Sequence, residues 1–492
     1  MALLSVPVIV LTGLAAVQPA PSAQRRPEAD MCAVPPGAQP LLPAKLLPGM
    51  GDTDMPVTSR SAEARRFFNQ GVSQMHSFWF IESERSFLQA AELDPDMAMA
   101  YWGISISAAG DYRPAFQLIR DPYDGGRTPS GQPAADAVQL TAHGAAIDGR
   151  TRAREAIARA MSLREKVSPR ERLYIEAEAA RRAPAPQGGD GAHIAALRRL
   201  VSEFPDDLEA KSILGLALLD GYDPVTKAPR TNTVEGTTLL HQVVDRNDNH
   251  FGAHHYLIHG WEGSTTPEKA WRACERYPQL VPNIPHALHM PGHIYAQSDK
   301  IDEAIKAFDE AAANELKWMD ADVLYPNGHH GHNVHFLVHS LNLDGRFKDS
   351  LARVQHMMSF KETPRERAGG GQRTPYRQGY YGLVKTLVRF ERWDLILDGA
   401  TIPVYDRPEQ RAWRAWAIGL AHAAQGRLDE ARATHLMLKD HVQAATAVKR
   451  PLTIAGIELE ATIAARSGDK ARGYELFRKA ADMEAALIYT EP

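Results

Sequence analysis

Three histidine-rich segments follow one another between residues 250 and 345, and their spacing restricts the fold more than any other feature of the chain. Within each segment the key side chains are three or four residues apart, which places them on one face of an α-helix. The first two sets are related by a shift of 34 residues, from His255 to His289, and the last two by a shift of 46, from His286 to His332. The three predicted helices carry, in chain order, His255, His259 and Glu262, then His286, His289 and His293, then His332, His335 and His339.

A 34-residue period of paired helices is typical of tetratricopeptide repeats, and the longer shift adds a 12-residue insertion to one such period. Residues 285–316 carry the small and large residues of this repeat, which are Gly292, Tyr295, Ala304, Phe308 and Ala311. Residues 61–96 carry them too, as Phe67, Gly71, Ser83, Phe87, Ala90 and Pro95. The chain therefore resembles the tetratricopeptide-repeat (TPR) superfamily over most of residues 61–485, and in detail an exported, bacterial-type, His-rich TPR protein.

This resemblance implies an all-α fold, a TPR-like α–α superhelix (solenoid) in which the first helix of each repeat lines a concave groove. The sequence agrees, because no stretch alternates apolar and polar residues as a strand would. The histidines fall on the first helices, so we expect them to face the groove. The resemblance also implies that a protein or peptide ligand binds there.

The chain divides into three parts. Residues 1–23 have an apolar run at 2–17 followed by small residues and prolines, as secretory signal peptides do. We expect residues 24–60 to form an extended N-terminal lead-in and residues 61–492 to form the solenoid, with the His-rich central repeats at 250–345. No later stretch reaches 18 apolar residues, so we expect no stable membrane span after signal cleavage and a periplasmic or secreted protein.

Composition excludes several classes of function. The net charge of −4 and pI near 6.6 provide no basic stripe, so we expect no nucleic-acid partner. The two cysteines, Cys32 and Cys274, exclude a CxxC metal motif and leave open both a single bridge and two unpaired thiols. The sequence also has no GxSxG nucleophile motif, Walker loop or dinucleotide-binding fingerprint.

The nine side chains on the three helices predict a transition-metal site. Two alternatives stay open: a groove whose histidines hydrogen-bond a peptide or carboxylate ligand without metal, and a buried network of packing and capping histidines. Imidazole is a good ligand for zinc, copper and iron, and two histidines four residues apart on a helix can hold one ion. Packed helices lie about 8–10 Å apart, so side chains of neighbouring helices can share that ion. Stacking by one repeat would set His255 beside His289 and His259 beside His293. We expect zinc or copper, with iron as a further candidate.

Other polar residues receive supporting roles. Four residues are expected to contact the candidate ligands and orient their rings, namely His254, His330, Tyr256 and Tyr295. His250 and His329 are further candidates for this role. Those expected to be structural are His76, His143, His193, His241 and His422.

Three functions fit these observations. The first is an exported protein whose groove holds a His-rich metal site. The second is a metal-dependent enzyme, hydrolytic or oxidative, in which Glu262 is the candidate general base. The third is a protein-interaction scaffold that needs no metal. An open coordination position beside a substrate-sized pocket would favour the enzyme, and full partner binding by metal-free protein would favour the scaffold.

Export gives the first testable prediction. Because the apolar N-terminus resembles a cleaved signal, mass spectrometry of the native protein should show a chain that starts near Gln24. Recovery of the intact Met1 form from the cytosol would contradict this prediction.

Overall fold

Helices dominate the computed structural model, which describes residues 43–114, 149–223, 225–321, 328–362 and 374–487. Within these ranges the only extended pairing is one isolated bridge between Tyr222 and Pro229. No helix in the same ranges is both long enough and apolar enough to cross a membrane. The predicted signal peptide, Cys32 and His143 lie outside the described residues, and Cys274 is buried.

The described residues form twenty α-helices. The first ten are α1 Ala62–His76, α2 Phe80–Leu93, α3 Ala98–Ala109, α4 Gly149–Leu163, α5 Pro169–Arg182, α6 Asp190–Glu203, α7 Leu208–Leu218, α8 Thr231–Arg246, α9 Phe251–Trp261 and α10 Trp271–Leu280. The second ten are α11 Pro285–Gln297, α12 Ile301–Ala321, α13 Gly328–Leu343, α14 Phe347–Ser359, α15 Pro375–Arg389, α16 Trp393–Leu397, α17 Pro408–Ala424, α18 Leu428–Ala444, α19 Lys449–Arg466 and α20 Lys470–Ala485.

Consecutive helices pack as pairs, and the pairs stack along the chain. Helix α1 packs on α2 and α3, α7 packs on α8 and α9, and α17 packs on α18 and α19. The turns within most pairs are short, so the two helices of such a pair run antiparallel. The prediction of an all-α, TPR-like superhelix is therefore confirmed.

Close packing between paired helices explains the small and large residues of the repeat. A Cβ atom at Gly71 would lie 2.8 Å from the ring of Phe87, and one at Gly292 would lie 2.5 Å from the ring of Phe308. Both distances are shorter than atoms tolerate, so the first helix must carry glycine where the phenylalanine of the second helix meets it. Both rings are fully buried.

Two apolar cores run along the superhelix and meet at α13. Phe336, Leu337 and Leu341 belong to the core of the N-terminal repeats, and Val334 and Val338 belong to the core of the C-terminal repeats. Helix α13 is therefore held on two sides, which fixes the orientation of its histidines.

The superhelix winds tightly enough for its first helix to reach its middle repeats. Helix α1 packs directly against α9, although the two are separated by about 180 residues. This contact lays the C-terminal end of α1 against the first His-bearing helix and so closes one side of the groove.

The described part of the lead-in, residues 43–60, contacts both α1 and the turn before α11. The side chain of Gln70 accepts a hydrogen bond from the Leu47 N–H (2.7 Å) and donates one to the Lys45 carbonyl (2.8 Å). Further along, the Asn283 N–H donates to the Gly49 carbonyl at 3.1 Å. The extended segment thus satisfies its backbone groups on α1 and on the turn before α11.

The start of α5 is fixed by a capping box. Ser168 accepts a hydrogen bond from the Glu171 N–H, and the Glu171 carboxylate accepts one from the Ser168 N–H at 3.0 Å. The same carboxylate also accepts from the Thr58 N–H at 2.7 Å, so one acidic residue both begins a helix and anchors the lead-in.

The repeat packing predicts a difference between two phenylalanines at the same repeat position. Phe87→Ala should lower the free energy of unfolding by about 3–5 kcal/mol, because it empties a fully buried site between three helices. Phe477→Ala is the matched control on α20, where the ring is 41% exposed, and its cost should be much smaller. Urea unfolding followed by circular dichroism measures both; equal costs would contradict the packing described here.

Candidate metal centre

Helices α9, α11 and α13 carry the candidate ligands, and α11 shows how the sequence shapes the site. Its first residue, Pro285, suits the first turn of a helix, because the missing N–H would have had no partner there. A second proline, Pro291, lies inside the helix, and Gly292 lets Phe308 approach. His286 of this helix meets histidines of α9, and His289 and His293 meet His332 of α13.

The first group of candidate ligands, the first triad, consists of His255 and His259 of α9 and His286 of α11. One ring nitrogen of each lies within 4.8 Å of the others. The Nε2 atoms of His255 and His286 are 3.1 Å apart. His255 and His259 are buried and His286 is half-buried, so only the α11 member reaches towards solvent.

The second triad consists of His289 and His293 of α11 and His332 of α13, again with ring nitrogens within 4.8 Å of one another. The Nε2 atoms of His289 and His293 face each other at 2.7 Å. The ring centroids of His289 and His332 are 5.0 Å apart. The two α11 members are buried, whereas His332 is half-buried.

Oxygen atoms behind the rings orient the imidazoles. The Nδ1–H of His255 donates to the His76 carbonyl, and the Nδ1–H of His289 donates to the Asn333 Oδ1 at 2.7 Å. A carbonyl oxygen only accepts, so each of these nitrogens must carry the proton. The Nε2 atoms of His255 and His289 therefore keep their lone pairs, which is the form that binds a metal.

Glu262 connects the two triads. Its Oε2 lies 2.7 Å from the His259 Nδ1, and its Oε1 lies 3.4 Å from the His293 Nδ1. Burial raises the pKa of Glu262 to about 8, although the nearby His332 acts in the opposite direction. The sequence suggested Glu262 as a ligand or a general base. The structure instead places its carboxylate beside the Nδ1 atoms of two candidate ligands, His259 and His293, where it orients their rings.

Burial keeps the histidines neutral. Desolvation, followed by the charge of Arg113, lowers the pKa of His259 to about 3. Burial also holds the pKa values of the other buried or partly buried members well below the usual range, namely those of His255, His286, His289 and His293. Protons therefore do not compete for these nitrogens at neutral pH.

An aromatic turn covers the first triad. The ring centroid of Phe78, between α1 and α2, lies 4.4 Å from that of His255 and 5.4 Å from that of His259. Its backbone has a φ of 53°, a left-handed conformation that bulky residues rarely adopt. Trp79 follows and packs edge-on against Trp318 at 5.0 Å. Sequence reasoning missed this cover, because Phe78 is about 180 residues from the ligands in the chain.

Successive His-bearing helices are shifted by about one turn along their axes relative to the alignment that the sequence repeat gives. The predicted pairs, His255 with His289 and His259 with His293, are therefore wrong. His255 meets His286 instead of His289, a separation of 31 residues in place of 34. Likewise, His289 meets His332, a separation of 43 in place of 46. Both differences are three residues, which is about one helical turn. Sequence periodicity gives the spacing within each helix but not the axial offset between helices.

The same offset separates His335 and His339 from the two triads. At a separation of 43 residues, their counterparts on α11 are Gly292 and Ala296, which offer no ligand. Both histidines instead line a cavity between α13 and α15. Partial burial, together with the charges of Lys385 and Arg389, lowers the pKa of His339 to about 4.

The four residues expected to support the candidate ligands have different partners, and most of them do not contact a triad. The Tyr256 hydroxyl pairs with the His76 Nδ1 at 2.6 Å, behind His255. His254 pairs with the Asp248 carbonyl at 2.9 Å, and Tyr295 lies beside Lys300. His330 pairs with Glu315 at 3.2 Å. Of these four, Tyr256 is the one whose ring contacts a member of a triad.

Two of the isolated histidines have structural partners. His193 donates from Nδ1 to the Ala177 carbonyl at 2.8 Å and is buried. His76 also pairs with Glu209, and its own carbonyl orients His255. His76 is thus a structural residue that contributes to the site, which its isolated position in the sequence could not show.

A buried carboxylate supports the second triad and predicts a pH effect. Burial opposes ionisation of Glu315, but the charge and hydrogen bond of His329, and then His330, outweigh it and lower the pKa of Glu315 to about 2. Asn333, which orients His289, also donates to Glu315 at 3.1 Å.

The folded-state pKa of Glu315 is below the unfolded value, so its stabilisation is complete above about pH 4.5 and is lost as the pH falls towards 2. The free energy of unfolding should therefore fall more steeply below pH 4.5 for the wild type than for Glu315→Gln. Glu310→Gln, an exposed change on the same helix, should keep the wild-type slope. Urea titrations at several acidic pH values measure these slopes, and equal slopes for all three proteins would refute the assignment.

Comparison with known proteins gives no family assignment. The chain matches no protein-family model and no curated protein. Among solved structures it is similar to the human IFIT1 dimer with m7Gppp-AAAA, at 13% identity, 87% coverage of this chain, 92% of that chain and a TM-score of 0.34. It is also similar to yeast Tom70, at 11% identity, 86% coverage of each chain and a TM-score of 0.35. The APC/C hetero-tetramer Cut9–Hcn1 is similar at 13% identity, 85% coverage of this chain, 76% of that chain and a TM-score of 0.30. Likeness at these scores supports no inference about what the chain does.

Proposed function

We propose that the protein is an exported solenoid that binds two transition-metal ions, one in each triad, with zinc or copper as the expected ions and iron as a further candidate. The observation that carries the proposal is the 2.7 Å approach of the His289 and His293 Nε2 atoms. His289 donates from Nδ1, so its Nε2 presents a lone pair to its neighbour. Two nitrogens this close need a proton or a cation between them.

The third imidazole favours a metal ion over a proton. A shared proton satisfies two nitrogens, whereas His332 brings a third within 4.8 Å of both. The first triad repeats this arrangement with His255, His259 and His286. Metal–nitrogen bonds of about 2.0–2.1 Å require donors roughly 3–4 Å apart, so small side-chain movements suffice for binding.

Burial argues against the reading in which a peptide contacts these histidines. His255 and His289 are fully buried, and His259 and His293 are 3% and 7% exposed. A partner chain in the groove could reach only the half-buried members, His286 and His332. The remaining surface of the superhelix stays compatible with protein binding, as in other solenoids.

Three protein ligands leave a position for water or another exchangeable ligand on a tetrahedral ion. This feature keeps metal-dependent catalysis compatible with the site. Glu262 is poorly placed as its general base, however, because its two oxygens face His259 and His293 from behind. We therefore propose metal binding itself as the function of the site.

The proposal predicts metal content residue by residue. Elemental analysis of the wild type should give two ions per chain, and His259→Ala and His289→Ala should each leave one, because each variant disrupts one triad. The double variant should contain none. His435→Ala, which removes a buried histidine of α18, is the control and should retain both ions.

Melting curves with and without a chelator provide a second readout. Each filled site should stabilise the folded protein by about 2.7 kcal/mol at a free metal concentration 100 times the Kd. The chelated wild type should therefore melt at a lower temperature than the loaded protein. If both single variants keep two ions, or if the wild type binds none, the triads are not metal sites.

A further inference from the structure

The carboxylate of Glu315, on α12, accepts hydrogen bonds from three side chains of α13. Its Oε1 pairs with the His329 Nδ1, and its Oε2 pairs with the His330 Nδ1 at 3.2 Å and the Asn333 Nδ2 at 3.1 Å. The carboxylate is fully buried, and its pKa of about 2 keeps it ionised at neutral pH. An ionised carboxylate only accepts hydrogen bonds, so a neutral His329 must carry its proton on Nδ1.

His329 lies between Glu315 and the first triad. Its Nε2 is 3.4 Å from the Nδ1 of His286, the α11 member of that triad. The Nε2 of a neutral His329 carries a lone pair, so the His286 Nδ1–H is the donor of this pair. The Nε2 of His286 then keeps its own lone pair, which is the form that binds a metal.

The lone pair of His286 faces a second one. The Nε2 atoms of His255 and His286 are 3.1 Å apart, and the His76 carbonyl holds the proton of His255 on Nδ1. Two lone pairs at this distance repel each other unless a cation lies between them. The hydrogen bonds from Glu315 to His286 therefore prepare the arrangement that a metal ion would satisfy.

A metal ion in either triad favours the neutral form of His329. The ring centroid of His329 lies 5.5 Å from that of His286 and 5.6 Å from that of His332, one member of each triad. An ion bound by either neighbour would repel a positive charge on this ring. With the sites filled, the His329 Nε2 therefore accepts a hydrogen bond and does not donate one.

We propose that Glu315 is a positioning residue of the first triad, whose His286 it orients through His329. This inference rests on the proposed function, because it names a residue that sets the affinity of one of the two metal sites. The contact of Glu315 with Asn333 alone would predict an effect on the second triad only, since Asn333 orients His289.

Glu315→Gln separates these two roles. Glutamine offers one acceptor oxygen and one NH₂ group where glutamate offers two acceptor oxygens. Asn333 also donates from Nδ2 to the Phe308 carbonyl at 3.1 Å, so its amide cannot reverse without losing that bond. The glutamine oxygen should therefore stay beside Asn333, with the NH₂ group facing His329. His329 must then accept at Nδ1 and donate from Nε2, which leaves the proton of His286 on the Nε2 that should bind metal.

Zinc affinities, measured by competition with a chelator, test the inference in two proteins that each keep one triad. His289→Ala keeps the first triad, and His259→Ala keeps the second. Adding Glu315→Gln should weaken zinc binding about tenfold or more in the first protein and much less in the second. His329→Phe, a change at a partly exposed residue, should have the same selective effect, because it also removes the partner of the His286 Nδ1.

His330→Phe is the matched control. His330 pairs with the same carboxylate, but its ring packs on His356 and Phe360. Its replacement should leave both zinc affinities unchanged, whereas a general loosening of α12 and α13 would lower them in this variant too. Circular dichroism checks the fold of every variant.

NMR of the ring nitrogens gives a readout that needs no metal. The spectra are recorded on metal-free protein at about pH 8, where an unperturbed histidine is neutral. The wild type should carry the His329 proton on Nδ1, and Glu315→Gln should move it to Nε2. The His329→Phe spectrum assigns the signal.

Unchanged zinc affinity of the first triad in both Glu315→Gln and His329→Phe would overturn the inference, as would a loss confined to the second triad. A wild-type ring proton on the Nε2 of His329, alone or together with one on Nδ1, would overturn it as well. A wild type that binds no zinc refutes the proposed function. Two bound ions with a first triad that is insensitive to Glu315→Gln and His329→Phe refute this inference alone.

Discussion

The oxygen atoms behind the imidazoles determine what the rest of the site can do. A backbone carbonyl behind His255 and an amide oxygen behind His289 leave each Nδ1 protonated and turn each Nε2 lone pair inward. Without these partners the rings could rotate or exchange tautomers. The lone pairs of the neutral imidazoles would then not point towards one shared position. Burial adds the second requirement by keeping the rings uncharged. The superhelix provides both the oxygen atoms that orient the rings and the burial that keeps them uncharged, by bringing together distant parts of the chain.

The partners come from distant segments because the solenoid is tightly wound. An open superhelix would bring each repeat into contact only with its neighbours in the chain. Here the end of α1 contacts α9, so that His76 and Phe78 complete a site whose ligands begin near residue 255. The lead-in spans the same junction through Gln70 and Asn283. The N-terminal repeat thus serves as one wall of a site formed by the central repeats.

The features that follow from local periodicity could be predicted from the sequence. The contacts between segments that are far apart in the chain could not. Spacings of three and four residues identified the His-bearing helices, and the small and large residues at Gly71 and Phe87 identified the repeat, because both act within a helix or a helix pair. The axial offset of one turn between stacked helices is set by side-chain packing over the whole interface, which no repeat length encodes. Because of that offset, His335 lies outside the triads. Phe78 could not be predicted either, because it contacts His255 from a distant part of the chain.

The single carboxylate shared by His259 and His293 links the two triads thermodynamically. A cation on either side favours the ionised form of Glu262, which burial alone disfavours. The second ion would then meet a carboxylate that is already charged, so the two binding free energies cannot be independent. Linkage of this kind is reciprocal: whatever the first site does to the affinity of the second, the second does equally to the first. If each triad holds an ion, as we propose, the two sites share one counter-charge, and their affinities are coupled through its ionisation.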